Sequence, residues 1–296
     1  MIPPCLQKGD TILIIATARA KNKEFIDPAI KTLEGWGLIV ELGANIFKSY
    51  HQFAGTDKER ADDLQWAINH KTAKSVLISS GGYGTLRIID RINFKPLLKN
   101  PKWFIGYSDT TVIHSRLMNL NIASIHGTMA FQFLKNKKAT LSIKNLLFGQ
   151  TINYIIKKHK LNKEGSATGD IIGGNLSLLY ALSGSSDDFS GKNKILFIED
   201  LDEQLYHIDR MMHQLKRSGK LKNLNGLIVG GMSDMKDNAI PYGKTAEEII
   251  YEAVKEYKYP VCFNFPAGHI KNNTAIYFGK KARLEISKEK ISLRYI

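Results

Sequence analysis

Four segments of the 296-residue chain carry side chains that could do chemistry: Gly81-Gly-Tyr-Gly84, Tyr107-Ser-Asp109, Ile198-Glu-Asp200 and Gly268-His269. Ser108 follows the apolar run Trp103 to Gly106 and precedes a helical pattern. A serine in such a turn is held out at the top of a sheet, beside the backbone N–H groups that open the helix. Those donors, with the positive end of the helix dipole, stabilise an alkoxide or a tetrahedral oxyanion. This is the logic of a nucleophile elbow, although the G-x-S-x-G string is absent. The structural alternative is that Ser108 or Asp109 simply caps the helix. Gly81 to Gly84 marks a loop where backbone approaches a ligand closely, because glycine lacks a Cβ and tolerates positive φ. It is neither G-x-G-x-x-G nor a Walker loop. Beside Ser108 it offers the second donor that acyl transfer needs.

Glu199 and Asp200 close another apolar run, and either acid could orient an imidazole. Of eight histidines, His126 and His269 lie at or just past strand ends with glycine beside them, whereas His114, His207 and His213 fall within helical patterns. A lone histidine serves structure as readily as catalysis. No H-E-x-x-H string or Cys-His cluster argues for a metal, and no cofactor is expected.

These segments need elements to hold them. The first half alternates short β-rich runs (Thr11–Ala16, Leu38–Leu42, Val76–Ser80, Trp103–Gly106, Ile122–Ile125) with helical patterns. One helix carries Ile26, Ile30 and Leu33 at helical spacing, and another opens on the capping box Thr56-Asp-Lys-Glu59. That rhythm predicts an α/β fold with a parallel sheet covered by helices on both faces. A basic stretch then breaks it. The second half has strands at Lys194–Glu199, Leu227–Val229 and Val261–Phe265, and a C-terminal hairpin around Lys288-Glu-Lys290. The predicted organisation is an N-terminal α/β domain (1–135), a linker (136–165) and a C-terminal β-rich α/β domain (166–296). In open parallel sheets, ligands bind beyond the carboxyl ends of the strands, where all four segments fall.

Composition narrows the function class. Hydrophobic residues at 43% and charged residues at 24% are ordinary globular values and argue against disorder. No apolar run approaches the roughly 20 residues of a membrane span, and prolines at 3 and 4 interrupt what a signal peptide would need. A cytoplasmic protein without membrane association is expected. Two cysteines make no disulfide framework. The net charge of +14 raises the question of nucleic acid. Only nine of the 42 basic residues are arginine, and none forms a patch interleaved with aromatics. No nucleic-acid partner is therefore expected; the charge suits an acidic small substrate or a solvated surface.

Taken in order, the segments are more specific than any one alone. Lys8-Gly-Asp-Thr11 leads into the first strand, followed by Gly-Gly-Tyr-Gly at 81–84, Phe-Ile-Gly-Tyr-Ser-Asp-Thr-Thr at 104–111 and Ile-His-Gly at 125–127. Gly-Gly-Asn-Leu-Ser at 173–177, Phe-Ile-Glu-Asp at 197–200, Ile-Asp-Arg at 208–210 and Ala-Gly-His at 267–269 complete the series. Across nearly the whole chain they resemble the LD-carboxypeptidase family, the serine peptidases of the S66 type. The resemblance implies a nucleophile at Ser108, completed to a Ser-Glu-His triad by Glu199 and His269. It implies an oxyanion hole from the backbone N–H groups of Gly82 and Asp109, and an active site in an interdomain cleft. It further implies a homodimer acting on a small muropeptide substrate, from which terminal D-alanine is removed during murein recycling. Ser80 stands where the family often has arginine, and His126-Gly-Thr-Met where His-Gly-Pro-Met is common. The first strand ends in Ala-Thr-Ala-Arg19 in place of the frequent Ala-Pro-Ser. Alternatives are a peptidase of the microcin-resistance type that cleaves acyl-sulfamoyl adenylates, which would share the triad, and a non-catalytic α/β ligand-binding protein with Ser108 as a cap.

Overall fold

A computed structural model describes residues 1–296. The apolar run after Asp10 becomes β1 (Thr11–Ile15), buried at every residue, as a strand covered on both faces must be. α1 (Lys23–Gly35) buries Ile26, Ala29 and Leu33 and leads to β2 (Ile39–Leu42). α2 (Asp57–Asn69) opens on the expected capping box, with Thr56 Oγ1 accepting from Glu59 N and the Glu59 carboxylate from Thr56 N. β3 (Ser75–Ile78), β4 (Trp103–Gly106), α3 (Thr111–Asn119) and β5 (Ser124–His126) follow. β1 pairs in parallel with β2 and β3, β3 with β4, and β4 with β5.

The basic stretch read as a linker over 136–165 is in part a helix. α4 (Lys137–Leu147) is capped by Asn136, whose side-chain oxygen accepts from Ala139 N, and it buries Ala139, Ile143, Leu146 and Leu147. Its polar face carries Lys137, Lys138 and Lys144, which disguised a regular amphipathic element as a charge run. The chain divides into two compact units, one of Met1–Ile152 with Thr274–Tyr277, the other of Asn153–Asn273 with Phe278–Ile296.

In the second unit, β6 (Gly165–Asn175) runs directly into α5 (Leu176–Ala181). β7 (Ile195–Leu201), α6 (Leu205–Arg217), β8 (Gly226–Ser233), α7 (Ala246–Val254) and β9 (Val261–Cys262) follow. β10 (Ile276–Phe278) is the end strand of the first sheet, whose order is β10-β5-β4-β3-β1-β2. β11 (Lys281–Ile286) and β12 (Ile291–Tyr295) are the predicted hairpin. They extend the second sheet, ordered β12-β11-β6-β7-β8-β9, in which β6 to β9 are parallel and β11 is antiparallel to β6. No helix is long and apolar enough to cross a membrane.

β6 is not among the strands expected from the sequence, and it is rich in glycine. One of its glycines is a packing requirement: at Gly173 (φ 124°) a Cβ would stand 1.9 Å from the Phe197 carbonyl oxygen. Backbone of β6 therefore lies against backbone of β7 with no room for any side chain. Gly173→Ala is expected to destabilise the protein by about 3 kcal/mol or more, at the upper end of single substitutions. A urea-unfolding midpoint equal to that of the wild type would refute this account.

Candidate active site

β4 delivers Tyr107 in extended backbone (φ −152°, ψ −171°), and the chain then turns at Ser108, whose φ is 61°. That left-handed conformation costs a non-glycine residue roughly 1–3 kcal/mol. Ser108–Thr110 form one 3-10 turn into α3, and neither the turn nor α3 has a side-chain cap. The capping alternative thus fails for both residues. A cap requires extended backbone and a side-chain oxygen on the helix N–H groups, whereas Ser108 is left-handed and the Asp109 carboxylate accepts from Thr85 N at 2.8 Å.

The surroundings hold this turn in place. At Gly106 a Cβ would meet Thr110 Oγ1 at 2.5 Å, so only glycine lets the turn fold back on the strand. His114 Nε2–H donates to the Gly106 carbonyl at 3.0 Å while its Nδ1 accepts from Ser124 Oγ at 2.8 Å. Burial pushes the His114 pKa down to about 4, so its imidazole is a neutral brace. The glycine loop passes beside the serine: a Cβ on Gly81 would lie 3.2 Å from Ser108 Oγ. Gly82 (φ 109°) and Gly84 (φ 151°) take backbone conformations that glycine alone adopts at low cost.

The far end of that loop is locked by groups that sequence reasoning missed. The Arg60 guanidinium, fully buried, donates to the carbonyls of Thr17 at 2.7 Å and Gly84 at 2.9 Å, and stacks on Phe53. Asp57 pairs with both Arg60 and Arg87. The signal in the sequence is an arginine in the first turn of α2, where the helix dipole disfavours positive charge. Burial raises the Asp109 pKa to about 6, against the pull of the Thr85 hydrogen bonds and the Arg60 charge.

In the second unit, β7 ends in the two candidate acids. Its pairing with β8 shifts register, Ile198 lying opposite Val229 but Asp200 opposite Met232, the mark of a β-bulge that re-aims side chains. Glu199 has no exposure to water. Its Oε2 accepts from His269 Nδ1–H at 2.6 Å and from the His269 backbone N–H at 3.0 Å. With Nδ1 committed as donor, the lone pair of the ring falls on Nε2. Gly268 (φ 103°) permits the approach, since a Cβ there would stand 2.7 Å from Glu199 Cβ. Burial pulls the His269 pKa down, but the Glu199 charge and hydrogen bond, with the Asp200 charge, outweigh it and raise it above the usual 6.5.

Asp200 faces elsewhere. It accepts from Asn175 Nδ2 at 2.7 Å, Ser177 Oγ at 2.8 Å, Ser177 N at 2.9 Å and Leu201 N at 2.9 Å, tying the end of β7 to the start of α5. Burial, aided by the Glu199 charge, raises its pKa to about 6. Of the two acids open in the sequence, Glu199 holds the histidine. His126, the other strand-end histidine, is fully buried at the end of β5. Ser108, Gly82 and Asp109 belong to the first unit, Glu199 and His269 to the second. No three His, Cys, Asp or Glu side chains are grouped to hold a metal ion.

Comparisons with known proteins bear on both units. Residues 12–127 match the family model of the LD-carboxypeptidase N-terminal domain, and residues 168–284 that of the LD-carboxypeptidase C-terminal domain. A probable murein peptide carboxypeptidase of Bacillus subtilis is 33% identical over 298 residues, covering 97% of this chain and 92% of the relative. The crystal structure of muramoyltetrapeptide carboxypeptidase from Oxalobacter formigenes matches with a TM-score of 0.86 at 28% identity, over 96% of this chain and 98% of that one. That of an MccF-like protein from Bacillus anthracis str. Ames matches at 0.85 and 25% identity, over 99% and 98%.

The Glu199 contact makes a prediction that needs no substrate. Glu199→Gln removes the charge that sustains the raised His269 pKa while burial continues to lower it, so the imidazole should titrate below the wild-type value. Nuclear magnetic resonance titration of the ring reads this directly; an unchanged midpoint would show that Glu199 does not govern His269.

Proposed function

The chain belongs to the LD-carboxypeptidase family, and from that premise we propose that it is a serine carboxypeptidase acting on peptidoglycan tetrapeptides. The bond cleaved joins the L-configured centre of a diamino acid to terminal D-alanine. The observation that carries this reading is the 2.6 Å pairing of His269 Nδ1 with the buried Glu199 carboxylate, which prepares Nε2 to act as a base.

In the proposed reaction His269 Nε2 takes the Ser108 hydroxyl proton as Oγ attacks the scissile carbonyl. Glu199 holds the tautomer and stabilises the imidazolium. The N–H groups of Gly82 and Asp109 receive the oxyanion; one such donor is typically worth about 10²–10³ in rate. Collapse of the tetrahedral intermediate breaks the C–N bond, and the imidazolium protonates the amine of D-alanine. Water, deprotonated by His269, then releases the acyl group from Ser108. The left-handed turn at Ser108 supports its assignment as nucleophile, because it is the geometry that lifts a hydroxyl clear of the strand. A cytoplasmic location and a homodimer, both implied by the family resemblance, are part of the same proposal.

Ser108→Ala is expected to lower D-alanine release from a tetrapeptide muropeptide by about 10⁴-fold or more; undiminished release would exclude the serine mechanism. Run in parallel, an acyl-sulfamoyl adenylate tests the microcin-resistance alternative, which prevails if that compound is cleaved and the muropeptide is not. Glu199→Gln should cost far more than Asp200→Asn, and the reverse order would overturn the assignment of the acid. Since the base must be neutral and its pKa is raised, kcat/KM should climb with pH along an acid limb whose midpoint lies above 6.5. A midpoint below that value would contradict the Glu199–His269 coupling.

A further inference from the structure

One cation beside the glycine loop has no counter-ion. Arg19 lies just past the end of β1 and is exposed. Neither a carboxylate nor a carbonyl meets its guanidinium, whereas Arg60 and Arg87 in the same unit share Asp57. Its backbone, by contrast, is fastened to the loop. The Arg19 N–H donates to the Gly81 carbonyl at 3.3 Å, and the Arg19 carbonyl accepts from Ser80 Oγ at 2.8 Å.

The side chain runs along the next glycine. A Cβ on Gly82 would stand 3.1 Å from Arg19 Cβ and 3.2 Å from its Nε, so the absence of a side chain at Gly82 is what gives the arginine its place. Gly81, one residue back, is the glycine against Ser108 Oγ. The loop therefore carries the serine hydroxyl against Gly81 and a guanidinium against the next residue, Gly82. A carboxypeptidase substrate likewise carries its free carboxylate one residue beyond the scissile carbonyl, so adjacent residues of one loop place a partner beside each group. Lys21 adds positive charge at this edge. It lies over the Phe131 ring at 4.9 Å, and burial, with the charges of Arg19 and Lys135, lowers its pKa.

The geometry points to Arg19 as the specificity-determining residue that receives the C-terminal carboxylate of the substrate, an assignment that rests on the carboxypeptidase reading above. The guanidinium fork matches a carboxylate in two parallel hydrogen bonds. Such a contact restricts cleavage to the last residue of a peptide, because an internal peptide bond presents no charge at that point.

The test compares two substrates on the full-length protein: a tetrapeptide ending in D-alanine and the same peptide ending in D-alaninamide. The readout is the ratio of kcat/KM for acid over amide. A hydrogen-bonded charge contact corresponds to about 10- to 100-fold, so Arg19→Ala should lower the ratio by that factor and Arg19→Lys by less. Labelling of Ser108 by a fluorophosphonate, run on each variant, reports that the nucleophile is intact. An acid-to-amide ratio that Arg19→Ala leaves within twofold of the wild type overturns the assignment of Arg19 alone. Wild-type protein that cleaves neither peptide overturns the carboxypeptidase reading, and the role of Arg19 with it.

Discussion

A carboxylate with no exposure to water is the constraint around which the His269 end of the second unit is arranged. Burying such a charge costs several kcal/mol unless partners offset it. Glu199 is offset by two donors of a single residue, the ring Nδ1–H and the backbone N–H of His269. This two-point grip fixes the ring and the main chain of the histidine together, so tautomer and direction are set before any substrate arrives. It also demands that residue 268 lack a Cβ, which would collide with the Glu199 side chain. The Ala-Gly-His string is thus a steric requirement of the acid. Its first residue takes part as well, because the Ala267 carbonyl accepts from Gly231 N at 2.9 Å and locks the loop onto β8.

The serine turn is governed by the opposite problem, a conformation that is locally unfavourable. Strain of this kind persists only when the surroundings over-determine it. Here Thr110 packs where Gly106 has no side chain, His114 holds the Gly106 carbonyl, and Asp109 clamps Thr85 at the end of the glycine loop. These contacts come from β4, α3 and the loop after β3, so the strain at Ser108 is borne by several elements at once. The hydroxyl is placed by scaffold rather than by flexible loop.

Much of this could be read from the residues. Continuous apolar runs marked the central strands, since strands covered on both faces need no polar alternation. The strand–turn–helix context pointed to Ser108, whereas glycine beside a strand-end histidine left His126 and His269 both open until the family resemblance chose His269. The residues alone left Glu199 and Asp200 open, and only the family resemblance chose Glu199. Adjacent strand residues point to opposite faces, and the register shift between β7 and β8 that sets their aim depends on pairing with a distant segment. β6 was hidden for a related reason, its glycines having a meaning only against the backbone of β7. Arg60 was hidden because its partners are backbone carbonyls of Thr17 and Gly84, far from it in sequence. Local chemistry was legible; contacts that exist only after folding were not.

The Asp109–Arg60 arrangement bears on how an oxyanion could be tolerated at this turn. A bare carboxylate directly after the proposed nucleophile would oppose negative charge developing on the substrate. Asp109 is buried, and its pKa of about 6 lies above the usual 3.8. Its ionisation is therefore unfavourable to folding: the cost is absent below 3.8, grows as pH rises towards 6, and is fully present above it. At neutral pH the group is an anion, and two features limit its reach. The Thr85 N–H takes one oxygen as acceptor, and the Arg60 charge acts on the carboxylate from a buried position where water screens it little. Arg60 thus does two jobs with one side chain, fixing the glycine loop through Gly84 and balancing the acid that clamps it. An arginine in the first turn of a helix is a poor choice for the helix and a good one for the turn that the helix supports.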